Sequence, residues 1–200
     1  HGGAPAGGEK CGQPSGERAA GDEKGINAAV WLTVSGLRNL QQGINKEKRE
    51  CDMKILVVSD THGRTKNLER VLKKVGEIDL FIHCGDLEGS EDYIRALVDV
   101  PCYMVAGNND WFSDLQRELE ITVDDYRIWI THGNNYGASM GTAHLLEEAS
   151  ARNVDVVMYG HTHRPLVEYQ DNITIVNPGS LSYPRQNGRK PRFVIMEIVR

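Results

Sequence analysis

Apolar and polar positions follow two different rhythms along this chain. From Met53 onward, short continuous apolar runs alternate with stretches of helical spacing. Residues 55–58 read as a strand covered on both faces. Leu68, Val71, Leu72 and Val75 then recur at helical intervals, and residues 80–83 form a second apolar run. Ile94, Leu97 and Val98 mark another helix, and residues 102–105 a third strand. This β-α-β-α-β order predicts parallel strands with helices outside. Past Ile121 the rhythm changes: residues 121–123 and 127–130 flank Asp124-Asp125, a hairpin signal. A helix is expected from about Thr142 to Arg152, with Leu145, Leu146 and Ala149 inward, and then a strand over 154–159. Residues 166–169, 173–176 and 193–198 read as a β-meander with a turn at Asp171-Asn172. The pattern adds up to an α/β chain of two packed sheets with helices outside, without internal repeats.

Residues 1–52 break this pattern. They are rich in Gly, Ala, Glu and Lys, and the first two dozen positions hold hardly any bulky apolar side chain. Such a segment cannot offset its ordering entropy by burial. The expectation is an N-terminal extension over 1–52, flexible or only locally helical, that is a tag, a linker or translated upstream sequence. The domain then spans 53–200, with its first strand in mid-sheet.

Composition narrows the partners. A net charge of −5 argues against a surface held to nucleic acid by counterion release, so a phosphate-bearing ligand needs a local positive centre such as bound metal. Cys11, Cys51, Cys84 and Cys102 show no Cys-x-x-Cys spacing, and the last two sit in apolar runs as buried, reduced thiols would. A reducing cytoplasm is therefore the expected location. No apolar stretch approaches the ~20 residues of a membrane span, and residues 28–40 lack the basic start of a signal peptide. No Gly-x-Gly-x-x-Gly follows the first strand, which leaves a dinucleotide site without support.

Five polar clusters carry the chemistry: Asp60-Thr61-His62, Gly85-Asp86, Gly107-Asn108-Asn109-Asp110, Thr131-His132-Gly133 and Gly160-His161-Thr162-His163. Each comes directly after a strand-like run, where an open α/β sheet assembles its site. A two-metal hydrolytic site needs several N and O ligands per ion and one shared carboxylate, so that a bridging water becomes hydroxide near neutral pH. Asp60 and His62 lie on one side of an extended segment, Asp86 has lone pairs for two ions, Asn108 offers an amide oxygen, and His132, His161 and His163 supply imidazoles. Two divalent ions against Asp60, Asp86 and a hydroxide leave a slightly positive centre, suited to an anionic phosphoester. The imidazole-rich set favours Mn, Fe, Zn, Co or Ni over Mg or Ca, and of these Mn is the ion expected. His83, inside a strand, reads as a packing or supporting residue, and His144 as exposed. Asp110 reads as a supporting carboxylate or turn former, and Arg185, Arg189, Lys190 and Arg192 as a solvated loop with a secondary claim to steer an anionic substrate. Arg64 has a somewhat better claim to that role because it adjoins the first cluster.

In their order and context these motifs resemble the calcineurin-like metallophosphoesterases. The short chain and Asn177-Pro178-Gly179-Ser180 look most like the small bacterial and archaeal phosphodiesterase branch that includes the YfcE proteins. The resemblance implies a four-layer αββα sandwich of two mixed sheets flanked by helices. It also implies that Asp60, His62, Asp86 and His163 hold one ion and that Asp86, Asn108, His132 and His161 hold the second. The function expected is a metal-dependent phosphoesterase, preferentially a phosphodiesterase, using a metal-bridging hydroxide, with Asp60, Asp86, Asn108 and His161 carrying the chemistry. Many active relatives place His directly after the metal-binding Asn, where it assists the leaving group. This chain has Asn109, whose amide donates a hydrogen bond but no proton, so help worth ~10²–10⁴-fold is missing and aryl leaving groups are favoured over alkyl ones. The rival is a non-catalytic protein-docking scaffold of the same fold, like the retromer subunit, since fold alone does not set function. Loops over 111–119 and 137–142 are too short for a large lid, so a small or exposed phosphoester is expected. The oligomeric state, including a homo-oligomer, stays open.

Overall fold

The structure is a computed structural model that describes residues 29–35 and 53–199. In chain order its elements are β1 (Ala29–Ser35), β2 (Met53–Val58), α1 (Lys66–Val75), β3 (Leu80–His83), α2 (Glu91–Leu97), β4 (Cys102–Met104), β5 (Glu118–Val123) and β6 (Tyr126–Thr131). A 3-10 turn (Asn134–Tyr136) then precedes α3 (Ala143–Arg152), β7 (Val156–Met158), β8 (Pro165–Gln170), β9 (Ile173–Pro178) and β10 (Phe193–Val199). The strands form two five-stranded sheets, ordered β1-β10-β2-β3-β4 and β5-β6-β7-β9-β8.

The two-residue period of the strands explains the layering. In β2, Ile55 and Val57 face the second sheet, while Leu56 and Val58 face the helices. Ile82 against Phe81 in β3, and Ile130 against Trp129 in β6, divide in the same way. One cluster thus fills the space between the sheets. A second packs Leu68 and Val71 of α1 and Ile94 of α2 on the outer face of the first sheet. A third packs Leu145 and Ala149 of α3 on the outer face of the other. The result is the expected αββα sandwich of two mixed sheets. Each buried Leu, Ile or Phe stabilises it by ~1.5–3 kcal/mol.

Two expectations need correction. The last three strands are not a meander: β8 and β9 pair as a hairpin, but β9 also pairs in parallel with β7, and β10 crosses to the first sheet, antiparallel to β2. Residues 193–196 are buried without a break, as a mid-sheet strand requires and a half-exposed meander strand does not. Secondly, Ala29–Ser35 lies within the segment expected to be flexible or locally helical, yet it forms an edge strand parallel to β10. Its Val30, Trp31, Thr33 and Val34 are strand formers, and Leu32 joins the core between the sheets. The remainder of 1–52, including Cys11 and Cys51, lies outside the described residues. Cys84 is buried and Cys102 half-buried, both as free thiols. No helix among the described residues is long and apolar enough to cross a membrane.

β2, β3 and β4 run parallel, as do β6, β7 and β9. Their carboxyl ends carry all five polar clusters to one edge of the sandwich.

Candidate metal centre

Backbone conformation singles out this edge first. Asp60, His62, Asp86, His161 and His163 all have positive φ, between 47° and 66°. A side-chain-bearing residue pays ~1 kcal/mol or more for the left-handed region, and such outliers persist where surrounding bonds over-determine them. Those bonds are present. Asp60 N donates to Gly85 O at 3.0 Å and His62 N to Asp86 O at 2.9 Å, lacing the first cluster to the second. Asn177 Nδ2 donates to Gly160 O at 2.7 Å and Ser180 Oγ to Asp60 O at 2.8 Å. Asn177-Pro178-Gly179-Ser180 therefore ties the two sheets together beneath the site. Close approach also sets Gly107 and Gly160: a Cβ on the first would collide with the Asp86 carboxylate, and one on the second with Ser59 Oγ.

The side chains converge as the backbone requires. One donor atom each from Asp60, His62, Asp86 and His163 lies within 4.8 Å of the others, a group able to hold a metal ion. His163 Nε2 stands 3.1 Å from Asp60 Oδ1, and His62 Nε2 3.7 Å from Asp86 Oδ2. A further set gathers at the same carboxylate. His132 Nε2 is 3.4 Å from Asp86 Oδ2, His161 Nδ1 is 2.9 Å from Asn108 Oδ1, and the two rings are 5.3 Å apart. All seven candidate ligands thus reach one place.

Three imidazoles are oriented by acceptors behind them. His132 Nδ1 donates to Cys84 O, His163 Nδ1 to Tyr183 O and His62 Nδ1 to Glu88 Oε1, each at 2.7 Å. A carbonyl or carboxylate oxygen only accepts, so Nδ1 keeps the proton and the Nε2 lone pair faces the centre. Burial opposes charge on His132 and His163, but Asp86 beside the first and Asp60 beside the second outweigh it and raise both. His161 is lowered, by burial and then by His132. Burial pushes the Asp86 carboxyl upward, yet His132 and Asn109 overcome this and hold it well below the usual range.

The donor set fits a divalent metal. Both Asp60 oxygens and His132 Nε2 are buried without a hydrogen-bond partner. Unpaired buried carboxylate oxygens are costly unless they coordinate a cation. His62, with both Asp60 and Asp86 within 4 Å, completes a mixed imidazole–carboxylate set.

The other candidates separate cleanly. Asp110 is no ligand: its Oδ2 accepts from Asp86 N at 2.8 Å and Gly107 N at 2.7 Å, and its Oδ1 from Glu88 N at 2.6 Å. It fixes the turns that aim Asp86 and Asn108. Asn109 donates from its backbone to Asp86 Oδ1 at 2.9 Å and from its amide to Oδ2 at 2.7 Å. His83 is wholly buried; its Nδ1 accepts from Gly85 N, so Nε2 donates to Thr61 Oγ1, and burial lowers it to about 4. His144 is exposed on α3, while His1 lies outside the described residues. Of the basic loop, Arg185 and Arg189 line a cleft of about 840 Å³ over the centre, and Arg64 stacks on Tyr183 at 4.6 Å. Sequence reasoning missed Glu88, Tyr183 and Arg164. Glu88 repeats the two-residue spacing of Asp60 and His62, and Arg164 adjoins His163; those were the only signals available.

With this geometry in hand, the relatives are informative. Residues 53–200 match the calcineurin-like phosphoesterase superfamily domain, and the chain belongs to that family. It is similar to the probable metallophosphoesterase YsnB of Bacillus subtilis, 34% identical over 134 residues that cover 66% of this chain and 78% of the relative. It is also similar to the phosphodiesterase YfcE of Escherichia coli, 28% identical over 158 residues, covering 66% and 82%. Among solved structures, a conserved Streptococcus pneumoniae protein described as a predicted phosphoesterase superposes with TM-score 0.66 at 29% identity, over 76% of this chain and 86% of that one. Vps29 of Entamoeba histolytica superposes with TM-score 0.62 at 24% identity, over 72% and 84%, a likeness of fold alone. Family membership and the Asp60–His62–Asp86–His163 group together support a metal-dependent phosphoesterase.

Proposed function

We propose that this chain hydrolyses phosphodiesters at a two-metal centre. Asp60, His62, Asp86 and His163 would hold one ion, and Asp86, Asn108, His132 and His161 the other. The observation that carries this reading is the gathering of the other six candidate ligands around Asp86, with the Asp60 oxygens buried and without a hydrogen-bond partner beside it. When bound, divalent metals neutralise phosphoryl oxygens and bring the pKa of water toward neutrality. The imidazole-rich set suits Mn, Fe, Zn, Ni or Co over Mg or Ca, and the ion expected from the resemblance is Mn. The chain's own residues supply orientation: Glu88, Cys84 and Tyr183 hold three imidazoles with Nε2 facing inward, and Asp110 fixes the turns that present Asp86 and Asn108. Relatives named phosphodiesterase support the preference for diesters. The open cleft suits a small or exposed phosphoester, and the expected setting is the cytoplasm.

Asn109 offers its amide to Asp86 and holds no transferable proton, so leaving groups that depart unaided are favoured. Replacing Asn109 with His is expected to narrow the gap between aryl and alkyl diesters by ~10²-fold; an unchanged gap counts against this role. The primary test is elemental analysis combined with an aryl phosphodiester assay before and after chelation. Two metals per chain and chelator-sensitive hydrolysis are expected. A protein that takes up no metal and turns nothing over is instead a docking scaffold.

A further inference from the structure

Two adjoining clefts meet at Asn109, which lines both, and they make two unlike halves of this face. One half carries Arg164, Arg185 and Arg189, and its only carboxylate is Asp86 on the floor. All three arginines are exposed, and none of their guanidinium groups has a hydrogen-bond or ion-pair partner among the described residues. The other half, about 850 Å³, is lined by Glu88, Glu91, Asp92 and Asp114 against Arg95 alone, with the exposed rings of Trp111 and Phe112 at its mouth.

This asymmetry is built in rather than incidental. Arg185 N donates to His163 O at 3.0 Å, and His163 Nδ1 donates to Tyr183 O at 2.7 Å, so the loop bearing Arg185 is fastened to a candidate ligand. Arg164 follows that same histidine directly. In a chain of net charge −5, three exposed guanidinium groups lining one cleft make a local positive patch suited to an anion. The planar fork of Arg matches phosphate in bidentate fashion, and three forks offer more donors than one carboxylate can accept. A single scissile phosphate does not account for them, since its charge is met at the centre. The acidic half repels any further anion, while its rings offer a flat apolar face.

Resting on the phosphodiesterase reading above, we infer that the substrate carries a second phosphate. It is seated on Arg164, Arg185 and Arg189, while an uncharged, flat group on the other side of the scissile phosphate turns toward Trp111 and Phe112. The test compares thymidine 5′-(4-nitrophenyl phosphate) with the same diester bearing a 3′-phosphate, on the metal-loaded protein. The 3′-phosphate is expected to raise kcat/KM by about tenfold. Arg185→Ala is expected to cut that ratio to about threefold, and Arg164→Ala with Arg185→Ala to bring it near one. A wild-type ratio near one, or variants in which both substrates lose rate equally, overturns the inference. If neither diester is hydrolysed, the esterase reading fails, and calorimetric binding of the two nucleotides decides the second phosphate separately: a preference for the 3′-phosphate that falls in Arg185→Ala and vanishes in the double variant supports it, while equal affinity, or a preference unchanged in the variants, refutes it.

Discussion

At the floor of the site Asp60, Asp86 and His132 are no more than 1% exposed, whereas at the mouth of the adjoining acidic cleft Trp111 and Phe112 are 78% and 102% exposed. The floor is over-determined. Five of its seven candidate ligands adopt left-handed backbone, hydrogen bonds from both sheets hold them there, and glycines at Gly107 and Gly160 leave no slack. The mouth has none of these ties. In the reading proposed above the contrast separates two jobs: the floor fixes what reaction the site can perform, and the mouth selects what enters it. Substitutions at the floor should therefore cost chemistry or stability, and those at the mouth selectivity alone.

The largest effect is expected at the floor. Asp60→Ala or His161→Ala should lower metal-supplemented turnover of an aryl phosphodiester on the order of 10³-fold, with the far-UV circular dichroism unchanged. Full turnover in either variant breaks the comparison at its base. Next comes Asp110→Ala, which strips acceptors from three backbone N–H groups, two of them at positions that aim Asp86. It should cost about 3 kcal/mol of unfolding free energy, read by denaturant titration of the chelated protein. A loss below about 1 kcal/mol would show that water replaces the carboxylate easily. Similar in size is the acid sensitivity from His83, whose ring is neutral when folded, with a value near 4 against 6.5 for the free side chain. The unfolded chain takes up the proton first as pH falls. The stability present above pH 6.5 is thus lost progressively down to about pH 4, and no further below it. The loss amounts to about 3 kcal/mol at most, and urea titrations of chelated wild type and His83→Gln at pH 7 and 4.5 should diverge accordingly. Parallel curves would mean that the His83–Thr61 bond persists with the ring charged.

The same contrast governs what could be read from the sequence. The floor was legible because metal chemistry admits few residue types and parallel strands deliver them at their carboxyl ends; Asp60, Asp86 and Gly160-His161 announced themselves on both counts. Asp110 was legible as a supporting group because its carboxylate follows two amide side chains in a Gly-led turn. The placement of β10 was not, since period shows which faces are buried but not which distant strand lies alongside. Nor was β1, where a short run of strand formers sits in a Gly-rich segment whose average composition hides it. Glu88 and Arg164 were missed for a third reason: a single charged residue on a loop has no periodicity, and only the folded neighbours His62 and His163 give it meaning.

The smallest effect is expected at Phe112, and it sharpens the comparison most directly. Its side chain is as exposed as in an extended peptide and belongs to none of the three core clusters. Its truncation removes no burial and leaves no cavity, the two terms that make core substitutions expensive. Phe112→Ala should therefore change the unfolding free energy, read by urea titration, by no more than about 0.5 kcal/mol. A drop above about 1 kcal/mol would mean that Phe112 packs against something in solution. The mouth would then be a structural wall like the floor, and the division of labour between them would fail.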